Sequence, residues 1–470
     1  MKKFLVVLLS LGLIVAFGMT ASAADVKFSG QYYLTGQYEN NRTLSGADSV
    51  PSLANMWQRT RIQTAFGIAD GLTFTTRFDA LERQWGNISN SSTSNLDRSN
   101  SRTAGTVSTV TVPGATAGTY TSTSTVTAGA LQENIEFEQA YVGFKTAIGM
   151  FNVGYQAAGE WGTGFGDEPN SRPRLKLDSP IGPVIITAIF EKQLESAASL
   201  FRSDADGDKY MLAATYQFKG GAAGLLYVNT NMANTRPGTT GYRTTLHTLD
   251  PYIKATFGPV YLEGELIYTT GKWAAFDNGT TVTGPDVSAG GLGAYGLVKA
   301  SFGPGYFGAS AGYSSGNDYS NADKNGIGPK SSTSWSPGII FGDANYRTWN
   351  QGANGGNIGN ANGVQYDMLA KQNLLAYNVF GGYNPTPKLN IDMQFWMLQA
   401  DTAKLSATTE AVSKKYGMEL DLTATYKIYD NLSYMVGAGY FQTGDYFKGT
   451  NSANTVGNDY VLLNKLTLNF

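Results

Sequence analysis

Residues 416–431 read "YGMELDLTATYKIYDN". Met418, Leu420, Leu422, Ala424 and Tyr426 fall at every second position, and Glu419, Asp421, Thr423, Thr425 and Lys427 fill the places between. Successive side chains of an extended chain point to opposite sides, so a period of two makes a strand with one apolar and one polar face. The run breaks at "YDN", a tight-turn composition, and a further run follows. The last stretch, "YVLLNKLTLNF" (460–470), repeats the pattern with Leu466, Leu468 and Phe470 on one side and Lys465, Thr467 and Asn469 on the other. Any one such strand fits a soluble sandwich with its apolar face inward. The connections separate the alternatives.

Eight connections are short: "IADGLT" (68–73), "TAIGMF" (146–151), "DSPIGPV" (178–184), "FKGGAA" (218–223), "FGPV" (257–260), "FGPGY" (302–306), "NPTPKL" (384–389) and "YDNLS" (429–433). Between them run longer polar stretches, roughly 40–55, 85–132, 157–171, 194–208, 231–247, 271–290, 316–371, 399–415 and 444–459. Short turns on one rim and long loops on the other belong to a transmembrane antiparallel up-and-down β-barrel of about 18 strands, all-β, with short periplasmic turns and both termini on the periplasmic side. In a closed barrel the apolar face meets lipid and the lumen takes water and polar groups, which explains a terminal strand that ends on an apolar side chain.

Composition agrees with export. "MKKFLVVLLSLGLIVAFGMTASAA" carries two lysines, an apolar run and an Ala21-Ser22-Ala23 site, so residues 1–23 read as a cleaved signal peptide and 24–470 as a single barrel domain. Loss of Lys2 and Lys3 takes the formal charge from −2 to −4, and no basic excess points to nucleic acid. Cysteine is absent, which excludes a disulfide framework, a Cys-based zinc site and a C-x-x-C-H haem attachment, and no cofactor is expected. The lone His247 has no evident catalytic partner and reads as a rim histidine, so no enzyme is expected. "DADGD" (204–208) and "NADKNG" (321–326) have calcium-loop spacing without the distal glutamate, position twelve of the second being Ser332, and read as solvated turns.

Parity assigns the charges. Arg59, Arg61, Arg77 and Asp79 face inward, opposite Ile62, Phe66, Leu72, Phe74 and Phe78. Arg172, Arg174, Lys176 and Asp178 share one face, and Asp392, Glu419 and Asp421 supply later acidic positions. An arginine facing mid-bilayer lipid costs about 2–4 kcal/mol, which favours the inward assignment. The expectation is a pore-lining basic wall (Arg59, Arg61, Arg77, Arg172, Arg174, Lys176), with pore-lining acids (Asp79, Asp392, Glu419, Asp421) of which the later ones lie elsewhere around the ring. In 134–145, Glu136 and Glu138 share parity with Val142 and Phe144, so either they lie above the membrane or a bulge shifts the register. The stretch 87–130 is rich in Ser and Thr, and "WSPGIIFGDANYRTW" (335–349) is an apolar island expected to fold into the barrel mouth or pack on a neighbour.

Two features carry a resemblance. The ending with Leu466, Leu468 and Phe470 resembles the assembly signal of bacterial outer-membrane barrels, which implies the barrel-assembly machinery as a partner. The third long connection, "AAGEWGTGFGDEPNSR" (157–172), resembles that of the bacterial outer-membrane porins in its place in the topology, its "FGD" and its acid content. The resemblance implies that this loop folds inward and sets Glu160, Asp167 and Glu168 across from the arginines, and that the barrel is a homotrimer. General diffusion porins have 16 strands. Eighteen is the number of sugar- and carboxylate-specific channels and of the alginate-export type, some of which use a basic ladder for anionic solutes. The function expected is a passive, water-filled outer-membrane channel for small hydrophilic solutes with a preference for anions. The alternatives are a substrate-specific export or uptake channel, a barrel sheath for an electron-transfer partner and, last, a surface hydrolase.

Overall fold

The computed structural model describes residues 25–47, 52–85, 135–167, 169–196, 205–236, 241–277, 285–330, 334–342, 357–359 and 361–470. The expected signal peptide, the stretch 87–130, Glu168, Asp204, Ser332 and residues 343–349 of the apolar island lie outside these.

Eighteen long strands form one closed antiparallel barrel. They are β1 (Asp25–Glu39), β2 (Leu53–Ala69), β3 (Leu72–Gln84), β4 (Glu136–Thr146), β5 (Gly149–Ala158), β6 (Asn170–Ile181), β7 (Val184–Leu194), β8 (Gly207–Phe218) and β9 (Gly221–Met232). The ring continues with β10 (Tyr242–Phe257), β11 (Val260–Phe276), β12 (Val287–Phe302), β13 (Gly305–Ser314), β14 (Leu374–Thr386), β15 (Leu389–Gln399), β16 (Lys415–Tyr429), β17 (Leu432–Thr443) and β18 (Asp459–Asn469). Each strand pairs with its sequence neighbours, and β1 closes on β18 from Gln31↔Asn469 to Glu39↔Val461. Gly30 and Phe470 exchange both main-chain hydrogen bonds, at 2.7 and 3.0 Å. A Cβ on Gly30 would lie 2.6 Å from the Phe470 ring, so the terminal aromatic packs where only glycine leaves room.

All eight short connections are tight turns, as expected, and each has two residues; Gly71 of the β2–β3 turn sits at φ +72°, a conformation glycine adopts without penalty. Two long connections are shorter than the sequence suggested. β10 already begins at Tyr242, and β11 and β12 reach Phe276 and Val287. The start of β10 carries the polar Arg243, Thr244 and Thr245 on both faces, and the facing ends of β11 and β12 are rich in Gly and Ala, so period-two patterning fades before pairing does.

The faces follow from parity. Phe28 (69% exposed), Phe137 (65%) and Leu422 (51%) stand on the outer surface with many other large apolar side chains. The buried apolar cluster lies inside the ring, where loops meet the inner wall: Leu44, Phe165, Ile340, Phe341, Tyr366, Tyr416, Phe441 and Phe447 belong to it. The ambiguity at Glu136 and Glu138 resolves as a bulge. Arg77 pairs with Gln139 while Phe78 pairs with Phe137, so Glu138 is the extra residue and parity flips there.

Candidate functional site: the barrel interior

Arg59 and Arg61 of β2, Arg77 of β3 and Arg174 of β6 stand on the inner face, each against a carboxylate. Asp79 receives Arg61 in a two-pronged contact at 2.7 and 2.6 Å, and Arg59 reaches the same carboxylate at 3.6 Å. A forked guanidinium–carboxylate pair fixes both side chains in one plane. Arg77 lies 3.9 Å from Glu138, and Lys176 lies 3.0 Å from Asp178. Arg174 donates to Glu191 on β7 and to the main-chain oxygen of Ala157. Arg172 shares the Arg174 face and lies opposite Gln156 of β5. Asp79 and Asp178 stand among the cations on their own strands, Glu138 and Glu191 join them there, and Asp392, Glu419 and Asp421 lie elsewhere in the ring, on β15 and β16. Arg59 also stacks on Tyr33, its guanidinium carbon 4.9 Å from the ring centre, with Lys465 of β18 on the same ring at 5.0 Å.

The loop at 157–171 folds into the ring and crosses to β10–β12. Thr163 donates its main-chain N–H to Glu265 of β11 at 3.1 Å and its hydroxyl to the same oxygen. Trp161 donates its indole N–H to the Asp250 main-chain oxygen at 3.0 Å and packs edge-on against Tyr252. Phe165 is fully buried and stacks on Tyr295 of β12 at 5.5 Å. Gly162 and Gly166 straddle the Glu265 carboxylate, where a Cβ on either would come within 2.6 Å of Oε1. Asp167 accepts the Trp161 main-chain N–H at 2.7 Å, and burial pushes its carboxyl up to about 6. Glu160 is exposed.

A second loop enters from the opposite side. Ile340 and Phe341 of the apolar island are fully buried inside the barrel. Their main-chain N–H groups are accepted by the two oxygens of Glu419 at 2.6 and 2.9 Å, and Ile339 donates to Asp421 at 3.2 Å. Glu419 and Asp421, expected to line the pore, are on the inner face but lie beneath this segment, 0% and 2% exposed. Gly338 turns at φ +90° directly over the Glu419 carboxylate. Trp335 meets Phe165 at 5.0 Å and Trp396 of β15 at 6.4 Å, so the two loops touch each other. Asp392 accepts from the Tyr306 hydroxyl at 2.7 Å.

Glu191 and Glu265 were not singled out from the sequence, although parity within "YLEGELIY" would have placed Glu263 and Glu265 inward, and Glu138 had been left without a face. His247 lies on the outer wall, its Nδ1 2.7 Å from the Tyr227 hydroxyl. Of the calcium-like segments, Asp206 and Asp208 bind Lys192 at 2.8 and 3.1 Å, and Asn321 accepts the Asp323 N–H at 2.8 Å in a local turn.

No family model and no curated protein matches the chain. Among solved structures, OccK2 (OpdF) of Pseudomonas aeruginosa matches over 95% of this chain and 98% of that one at 11% identity, with TM-scores of 0.52 alone and 0.51 in complex with glucuronate. OccK8 (OprE) of the same organism matches with a TM-score of 0.50 and 12% identity, over 95% of this chain and 98% of that one. The fold is that of a bacterial outer-membrane porin. At such identities no residue role transfers between the chains.

Proposed function

We propose that the protein is an outer-membrane channel through which small hydrophilic solutes pass passively. The observation that carries this reading is the inner wall itself: guanidinium and carboxylate groups alternate on β2, β3, β6 and β7 inside a barrel whose outer surface is apolar. Such a surface suits a hydrated, polar solute and has no use in a closed apolar core. The loops at 157–171 and 334–342 anchor on β10–β17, which supports a constriction beside the arginine-bearing strands.

The preference proposed is for anions, and a modest one, because the carboxylates offset much of the arginine charge. Glucuronate, bound by OccK2, combines a carboxylate with hydroxyls. A solute of that chemical kind fits a wall where guanidinium groups face the carboxylate and neighbouring carboxylates accept hydroxyls. The sheath reading is not favoured, since Phe165, Trp335, Ile340 and Phe341 occupy interior space that an enclosed protein partner would need.

The test is conductance of the refolded mature chain in a planar bilayer, with the reversal potential in a salt gradient. Stable open steps with mild anion preference are expected. A folded barrel that never conducts overturns the proposal.

A further inference from the structure

The outer wall of β9–β11 changes character in ordered rows near the loop rim. Register places Tyr227, Leu249 and Tyr268 side by side, then Asn229, His247 and Thr270 above them, then Asn231, Thr245 and Lys272. Below the tyrosines the wall is apolar, with Leu225, Ile253 and Leu266 exposed. The ten steps from Phe257 at the turn rim to His247, at about 3.4 Å each and a tilt near 40°, rise about 26 Å, close to the roughly 25 Å of a barrel's apolar band. His247 and the row above it therefore stand at the upper edge of the membrane, where headgroups begin.

These side chains are joined to one another. Arg243 donates to the Asn231 side-chain oxygen at 3.0 Å, and Asn231 donates to that of Asn229 at 2.6 Å. The His247 ring stacks on Tyr227, and its Nδ1 meets the Tyr227 hydroxyl. Arg243 is exposed and has no carboxylate partner among the described residues. Lys272 is half exposed and only loosely held by Asp286 at 3.5 Å. Asp208, opposite Asn231 on β8, is engaged by Lys192 at 3.1 Å.

We propose that this strip binds the phosphate of an outer-leaflet glycolipid headgroup. Arg243 and Lys272 supply the positive charge, and Asn231, Thr245 and His247 supply hydrogen-bonding groups. The lipid's chains lie along the apolar rows beneath. A soluble anion would gain nothing from those rows or from the tyrosine border, whereas a phosphorylated lipid meets both at their natural depths. The proposal rests on the outer-membrane reading above, but it fails separately, because lipid binding and conductance are independent measurements.

The test uses the full barrel in mixed micelles, with bis-phosphorylated lipid A, its dephosphorylated form and orthophosphate as probes, read by native mass spectrometry. Retention of the phosphorylated lipid at least about ten-fold above the dephosphorylated one is expected. The double variant R243Q/K272Q should remove that difference while the barrel keeps its heat-modifiable migration. Should the double variant fail to fold, R243Q and K272Q singly, at two exposed positions, are each expected to weaken retention. Equal retention of the two lipids, unchanged retention in folded variants, or full competition by orthophosphate overturns the proposal.

Discussion

The carboxylate of Glu419, buried on the inner face of β16, accepts the main-chain N–H of Ile340 at 2.6 Å and so ties an incoming loop to the barrel wall. Phe341 and Ile339 complete the contact through Glu419 and Asp421. Hydrogen bonds to a charged acceptor contribute about 1.5–3 kcal/mol each, and a donor left bare in a buried site costs a similar amount. E419Q/D421N is therefore expected to unfold at lower denaturant and to show a larger single-channel conductance as residues 334–342 leave the wall. G338V should reproduce this, since its Cβ would meet the Glu419 carboxylate at 2.5 Å. Unchanged conductance and stability in both variants would refute the tie.

The loop at 157–171 has its own anchor, and the two loops meet where Phe165 touches Trp335. T163V removes the hydroxyl bond to Glu265 and should raise conductance on its own. Combined with E419Q, its effect should depart from additivity, because residues in contact usually couple by about 0.5–3 kcal/mol. A double-mutant cycle on unfolding free energy checks this, and F165A should abolish the coupling.

Charge balance on the arginine wall makes opposite predictions for partners in one pair. D79N leaves Arg59 and Arg61 without their shared carboxylate and is expected to move the reversal potential toward anion preference. R59Q/R61Q is expected to move it the other way. Shifts of the same sign in both would show that these groups do not face the conducting path.

Asp167 gives a pH dependence. Burial raises its carboxyl from an ordinary 3.8 to about 6, with the Trp161 N–H opposing the rise. The group is neutral below about pH 6 and negative above it, so anion preference should decline between pH 5 and 7. D167N should flatten that part of the profile. The stability sign is also fixed: the folded chain keeps a proton that the unfolded chain releases between pH 4 and 6, so this residue's contribution falls as pH rises through that window and is level above it.

Turns and faces were legible in the sequence because both are local. Gly, Pro, Asn and Asp mark each reversal, and alternation from Met418 to Lys427 assigns each side chain to a face. The inward turn of the loop at 157–171 came from resemblance, and the apolar island hinted at the second loop. What stayed hidden was which partner each inward charge would find. Arg61 meets Asp79 because β2 and β3 are in that register, whereas Glu419 meets Ile340 across 79 positions of chain, through a contact that no period encodes. Glu138 was ambiguous for a related reason: a single inserted residue reverses parity without altering composition.

The seam between β1 and β18 sets the order of assembly. Every other pair of long strands joins elements consecutive in the chain, while Gln31 and Asn469 bond across 438 positions. Hairpins can therefore form one after another at small entropic cost, yet the growing sheet keeps two bare edges until the last strand is present. Those edges are templates for pairing with other chains. The final event, when the glycine-floored slot on β1 receives the terminal phenylalanine, converts an adhesive open ribbon into an inert cylinder. Any delay in that event is time spent exposed to aggregation.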